Sequence, residues 1–124
     1  MSLLLDTHVL LWWLSRNPAL AEEARSAIAE DSLVFVSAAT AWEIAIKRGS
    51  GKLTAPSDLE EQIERHNFQP LPITLPHALR AGSLPRHHND PFDRMLVAQA
   101  EMEQLTVVTR DSRMARYGVP ILPA

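Results

Sequence analysis

The sequence predicts an α/β domain, a three-layer α/β/α sandwich around a mainly parallel central sheet. Three observations carry that expectation. Short apolar or β-branched runs recur at Leu3-Leu4-Leu5, Ser32-Leu33-Val34-Phe35-Val36 and Leu105-Thr106-Val107-Val108-Thr109. Segments of helical character separate them, and strands alternating with helices imply parallel βαβ crossovers. Nine prolines are spread along 124 residues as punctuation, with no linker, repeat or low-complexity stretch, so residues 1–124 read as one domain.

Leu3-Leu5 reads as a strand buried on both faces. A helix from Thr7 to about Arg16 follows, apolar nearly all round through Trp12, Trp13 and Leu14. Those aromatics predict burial under the sheet layers, or contact with a partner chain. Pro18 is placed to open a second helix running to about Glu30. Ser32-Val36 is the second strand, and Ser37 caps a helix Ala38–Arg48 that stops at Gly49. On a helical wheel Trp42, Ala45, Ile46 and Gly49 form its apolar stripe, with Glu43 at the border. A charged helix spans about Asp58 to His66, Leu71-Pro72-Ile73 is a weak edge strand, and Pro76–Gly82 is a short helix. Asp90-Pro91 opens the helix Pro91 to about Gln104. Leu105–Thr109 is the clearest strand, Asp111–Arg116 a helical turn, and Val119–Leu122 a last edge strand.

Bulk properties narrow the function. The N-terminus lacks a basic region, and Val9–Leu14 is far short of the ~20 residues that span a bilayer, so a soluble cytoplasmic protein without membrane contact is expected. Cysteine is absent, which excludes thiolate metal sites and disulfides. A formal net charge of −3 argues against nucleic-acid binding by bulk attraction, unless acids are gathered around cations.

Acids do fall where they can gather. Asp6 ends the first strand and Asp111 follows the Leu105–Thr109 strand by two residues. In a parallel sheet both strand ends point to the edge where such folds bind ligands, provided the strands are near neighbours. Asp93 shares its helix side with Leu96, Val97 and Ala100, which puts a carboxylate on an inward-facing surface. A bound cation would offset that burial. Each acid also has an ordinary structural role open to it. Asp6, Asp90 and Asp111 suit N-caps, Asp93 suits a helix dipole, and Glu43 suits an i,i+4 pair with Lys47.

These residues resemble the PIN-domain nucleases, specifically the VapC-like toxins of toxin–antitoxin pairs. The resemblance runs through Leu4-Leu5-Asp6-Thr7-His8, Ser37 with Trp42-Glu43-Ile44, Asn89-Asp90-Pro91-Phe92-Asp93-Arg94, and Val107-Val108-Thr109-Arg110-Asp111. It implies four catalytic, metal-binding acids: Asp6, Glu43, Asp93 and Asp111. Asp6 and Asp93 are then the direct ligands, with Glu43 and Asp111 direct or through water. Asp90 caps its helix with an outer supporting role, and Thr109 orients a neighbouring acid or a metal-bound water. The implied cofactor is Mg²⁺, with Mn²⁺ the alternative, as suits hard oxygen ligands. The implied reaction is endoribonucleolytic hydrolysis of an RNA phosphodiester by a metal-activated water. The implied partners are an RNA substrate, a cognate antitoxin protein and a second copy of the chain in a homodimer.

Phosphate contacts are expected from Arg94 and Arg110, each adjoining a proposed acid, ahead of Lys47, Arg48, Lys52, Arg86 and Arg113. His87 and His88 read as an exposed loop, with RNA contact the alternative. A phospho-acceptor receiver domain shares the length and β/α order. It needs paired acids after the first strand, an acceptor Asp at the third and a Lys after the last, and this chain has none of these.

Overall fold

The computed structural model describes residues 1–30 and 33–124. Five strands form one parallel sheet: β1 (Ser2–Leu5), β2 (Leu33–Ser37), β3 (Gln69–Leu71), β4 (Thr106–Thr109) and β5 (Ile121–Pro123). Their order is β3-β2-β1-β4-β5. The helices are α1 (Thr7–Leu14), α2 (Glu22–Glu30), α3 (Ala38–Gly49), α4 (Leu59–Arg65), α5 (Leu75–Ser83) and α6 (Pro91–Glu103), with a 3₁₀ helix at Ser112–Tyr117.

β1 lies at the centre, paired with β2 on one side and β4 on the other. This is why Leu3, Leu4 and Leu5 are continuous apolar residues, all fully buried. Each such side chain stabilises the fold by about 1.5–3 kcal/mol relative to exposure. Successive side chains of a strand point to opposite faces and divide the core in two. Leu3, Leu5, Val34, Val36 and Val108 join α1, α2, α3 and α4 through Val9, Leu10, Ala24, Ile28, Ile44 and Ile63. Leu4 and Val107 join α5, α6 and the 3₁₀ helix through Ala81, Leu96, Val97, Ala100 and Met114. The predicted three-layer sandwich is therefore observed.

Several boundaries move. The second helix begins at Glu22 rather than Pro18. The Asn17 side chain accepts the Ala19 amide at 2.9 Å, so the residues after Pro18 form a turn first. Ser32, expected at the start of the second strand, lies outside the described residues. The third strand is Gln69–Leu71, two residues earlier than expected. It pairs with β2 alone, so Pro70 sits on a sheet edge, where its missing N–H is tolerated. The last strand is Ile121–Pro123.

The apolar stripe expected on α3 is overturned. Trp42 is 62% exposed and Ile46 47%, while Ala39, Thr40, Glu43 and Ile44 are buried. The helix turns the Glu43 carboxylate inward beside Ile44 and leaves Trp42 and Ile46 outside. The Trp42 ring meets Phe92 of α6 edge-on, with centroids 5.4 Å apart. Trp12 and Trp13 pack half-buried against the core on the α1 side.

Candidate metal centre

Because β1 and β4 are neighbours, Asp6 and Asp111 leave the sheet at the same edge. Asp6 is the N-cap of α1: its Oδ1 accepts the Val9 amide at 2.9 Å. Its Oδ2 accepts the Thr109 hydroxyl at 2.5 Å, and the same hydroxyl oxygen accepts the Asp111 amide at 3.0 Å. Asp111 in turn caps the 3₁₀ helix through the Arg113 amide. Capping and site-building are thus one arrangement. The caps fix the carboxylates where the helices start, and the helices start where the parallel strands end.

Glu43 is 5% exposed. Its Oε1 accepts the Thr7 hydroxyl and its Oε2 pairs with Lys47 Nζ, each at 2.5 Å. The i,i+4 pair with Lys47 is therefore present, and Thr7 ties the first turn of α1 to α3.

Asp90 caps α6 through the Phe92 and Asp93 amides at 2.8 and 3.2 Å. Asp93 and Asp111 then meet at a residue the sequence reading missed. His88 is 5% exposed, and its Nε2 lies 3.0 Å from Asp93 Oδ2 and 2.8 Å from Asp111 Oδ2. One ligand atom each from His88, Asp93 and Asp111 lie within 4.8 Å of one another. Read as an exposed loop, the His87-His88 pair splits. His88 is buried in the site, while His87 is exposed and stacks edge-on with Tyr117. The signal in the sequence was spacing alone, a histidine two residues before a helix cap.

The electrostatics are unequal. Burial pushes Asp93 up from 3.8 to about 7, aided by the charges of Asp90, Asp6 and Glu43, with His88 opposing. Burial also raises Asp6, against the hydrogen bonds from Thr109 and Val9. Asp111 goes the other way: hydrogen bonds from Arg113 and His88 hold it well below the usual carboxylate range. Among the described residues, Asp93 and Asp111 belong to the tight His88 group. Asp6 and Glu43 lie outside it and act on Asp93 through their charge. The donor set fits a hard divalent cation, because carboxylate oxygens dominate and the raised Asp93 is the group a cation would deprotonate.

The two arginines expected to meet phosphate are turned to the chain itself. Arg94 donates to the carbonyls of Ala81, Leu84, Pro85 and His88 at 2.9–3.2 Å. Arg110 donates to Ala19 and Ala124 carbonyls and lies 4.4 Å over the Trp12 ring. The cations bonded to proposed acids are Lys47 and Arg113, the latter 2.9 Å from Asp111. A cavity of about 690 Å³ between α4 and the β2–β3 edge is lined by none of the four acids.

Solved structures share this fold. The chain matches a DNA-bound VapBC complex from Salmonella typhimurium at TM-score 0.72 and 22% identity, covering 99% of this chain and 98% of that one. It matches FitAcB from Neisseria gonorrhoeae at TM-score 0.67 and 24% identity, covering 97% and 96%. A toxin–antitoxin complex from Klebsiella pneumoniae matches at 0.67 and 21%, covering 98% and 96%. No curated protein matches the sequence. The family model of the PIN domain matches residues 3–120, nearly the whole chain, and the chain belongs to the PIN domain family.

Proposed function

We propose that this chain is a Mg²⁺-dependent endoribonuclease, the toxin of a toxin–antitoxin pair. Nuclease activity is typical of the family, and the similar solved structure from Klebsiella pneumoniae is a toxin–antitoxin complex. The observation that carries the reading is the meeting of Asp93, from the first turn of α6, with Asp111, just beyond the end of β4, with Asp6 and Glu43 adding negative charge at Asp93. A divalent cation held there, Mg²⁺ or Mn²⁺, supplies positive charge to the phosphate and acidifies an attacking water.

The side chains divide the remaining work. Asp93 and Asp111 supply ligand oxygens from the ends of two different elements. Asp6 does so from a carboxylate whose orientation Thr109 and the Val9 amide hold. Glu43, buried beside Thr7 and Lys47, orients the attacking water or receives its proton. Asp90 supports Asp93 by starting α6 at the right residue. Lys47 and Arg113 are placed to exchange a carboxylate for a phosphate oxygen when RNA arrives.

The partners proposed are an RNA substrate, a cognate antitoxin and a second copy of the chain. The exposed Trp42 and Ile46 beside the site, and Leu75 and Leu79 on α5, offer apolar surface for protein contacts. Asp6→Asn and Asp93→Asn are expected each to abolish RNA cleavage while the folded spectrum persists. Full cleavage by either pure variant would sink the assignment.

A further inference from the structure

The His88 side chain is held on every side. Its Nδ1 accepts the Asp90 amide at 3.1 Å. Its own amide donates to Tyr117 Oη at 2.9 Å, and that hydroxyl donates to the Pro85 carbonyl at 2.8 Å. Its carbonyl accepts from Arg94 Nη1 at 3.2 Å. Arg94 binds four further carbonyls of the segment leading to His88, which is what an arginine beside an acid does here instead of reaching for phosphate.

The Asp90 amide decides the tautomer. A nitrogen that accepts an N–H carries no proton, so the ring proton is on Nε2. A ring protonated at both nitrogens would set Nδ1–H against the Asp90 N–H. Nε2–H therefore donates to Asp111 Oδ2 at 2.8 Å, and Asp93 Oδ2 lies 3.0 Å from the same nitrogen. A nitrogen in that state is a donor and has no lone pair for a cation. Ligation through Nε2 requires moving the proton to Nδ1, into the Asp90 amide.

We propose that His88 is a positioning residue of the metal centre: its Nε2–H binds the Asp111 carboxylate and holds it beside Asp93, so that their free oxygens face the cation, without ligating it. This rests on the metal-nuclease reading above and deepens it. The proximity of three donor groups suggests a His-Asp-Asp ligand set, whereas the hydrogen bonding makes the imidazole an organiser of the other two.

The test uses the folded wild type and two variants. Glutamine places an amide nitrogen as many bonds from the backbone as Nε2, so His88→Gln keeps an N–H donor. His88→Ala removes it. Long-range ¹H–¹⁵N correlation spectra of the metal-free wild type are expected to show His88 protonated at Nε2 and bare at Nδ1. Spin-echo spectra of the Mn²⁺-loaded wild type are expected to show no directly bound imidazole nitrogen. Calorimetric Mn²⁺ titrations are expected to put His88→Gln within about threefold of the wild-type Kd and His88→Ala at least tenfold weaker. A bound imidazole nitrogen, a proton on Nδ1, unchanged Mn²⁺ affinity in His88→Ala, or a His88→Gln as weak as His88→Ala would each overturn the proposal. A wild type that binds no Mn²⁺ overturns the metal-nuclease reading along with it, whereas the ring-nitrogen pattern of the metal-free protein tests His88 by itself.

Discussion

Thr109 donates its hydroxyl to Asp6 Oδ2 at 2.5 Å, joining residues 103 positions apart at the ends of adjacent strands. Asp6 is buried, so the loss of one donor cannot be made good by bulk water. Thr109→Val keeps the shape and removes the donor. We expect it to destabilise the fold by about 1–3 kcal/mol in urea unfolding and to weaken metal binding. Wild-type stability in that variant would show that Asp6 finds its support elsewhere.

Asp93 makes both the stability of the fold and its metal affinity depend on pH. Metal-free Asp93 titrates near 7 in the fold and near 3.8 when unfolded. Between those values the fold holds a proton the unfolded chain has lost, so the contribution of this group is full below about 3.8 and is lost as pH rises through about 7. Metal binding has the opposite sign, because the cation needs the ionised carboxylate. Titrations at several pH values are expected to show the Mg²⁺ Kd tightening about tenfold per pH unit below 7 and levelling above it. A flat profile from pH 6 to 8 would contradict this.

The same crowding predicts an opposite pair of effects for Asp93→Asn. Without metal at pH 8 the variant is expected to be more stable than wild type, by on the order of 2 kcal/mol, because a buried like charge is gone. Saturating Mg²⁺ is expected to raise the wild-type melting temperature and leave the variant's nearly unchanged. Thermal unfolding with and without the ion reads both effects.

Arg94 holds the segment that carries His88, so Arg94→Lys is expected to act on order rather than on RNA charge. Lysine cannot span the same carbonyls with a rigid fork of donors. Hydrogen exchange should quicken across residues 84–90, while the salt dependence of RNA binding stays as in wild type. A reduced salt slope would instead mark Arg94 as a phosphate contact.

Much of this was legible from the sequence. The run Leu3-Leu4-Leu5 announced a doubly covered central strand, and that placement made the convergence of Asp6 and Asp111 a matter of topology. The caps at Asp6, Asp90 and Asp111 were readable because capping is local chemistry. What failed was tertiary. Hydrophobic periodicity assigned Trp42 and Ile46 to the core, yet α3 turns Glu43 inward. Such patterns break where a polar group is buried with partners, here Thr7 and Lys47. The burial of His88, read as part of an exposed loop, was illegible for a related reason. Its burial depends on Tyr117 and Arg94, and no local spacing brings those to it.

The central claim is cleavage of RNA by a carboxylate-held metal. Purified, antitoxin-free protein would be incubated with a mixed cellular RNA pool in Mg²⁺, in EDTA, and as Asp93→Asn in Mg²⁺. The account predicts new RNA ends only with the wild type in Mg²⁺. Equal cutting in EDTA, or by the folded Asp93→Asn variant, would contradict it.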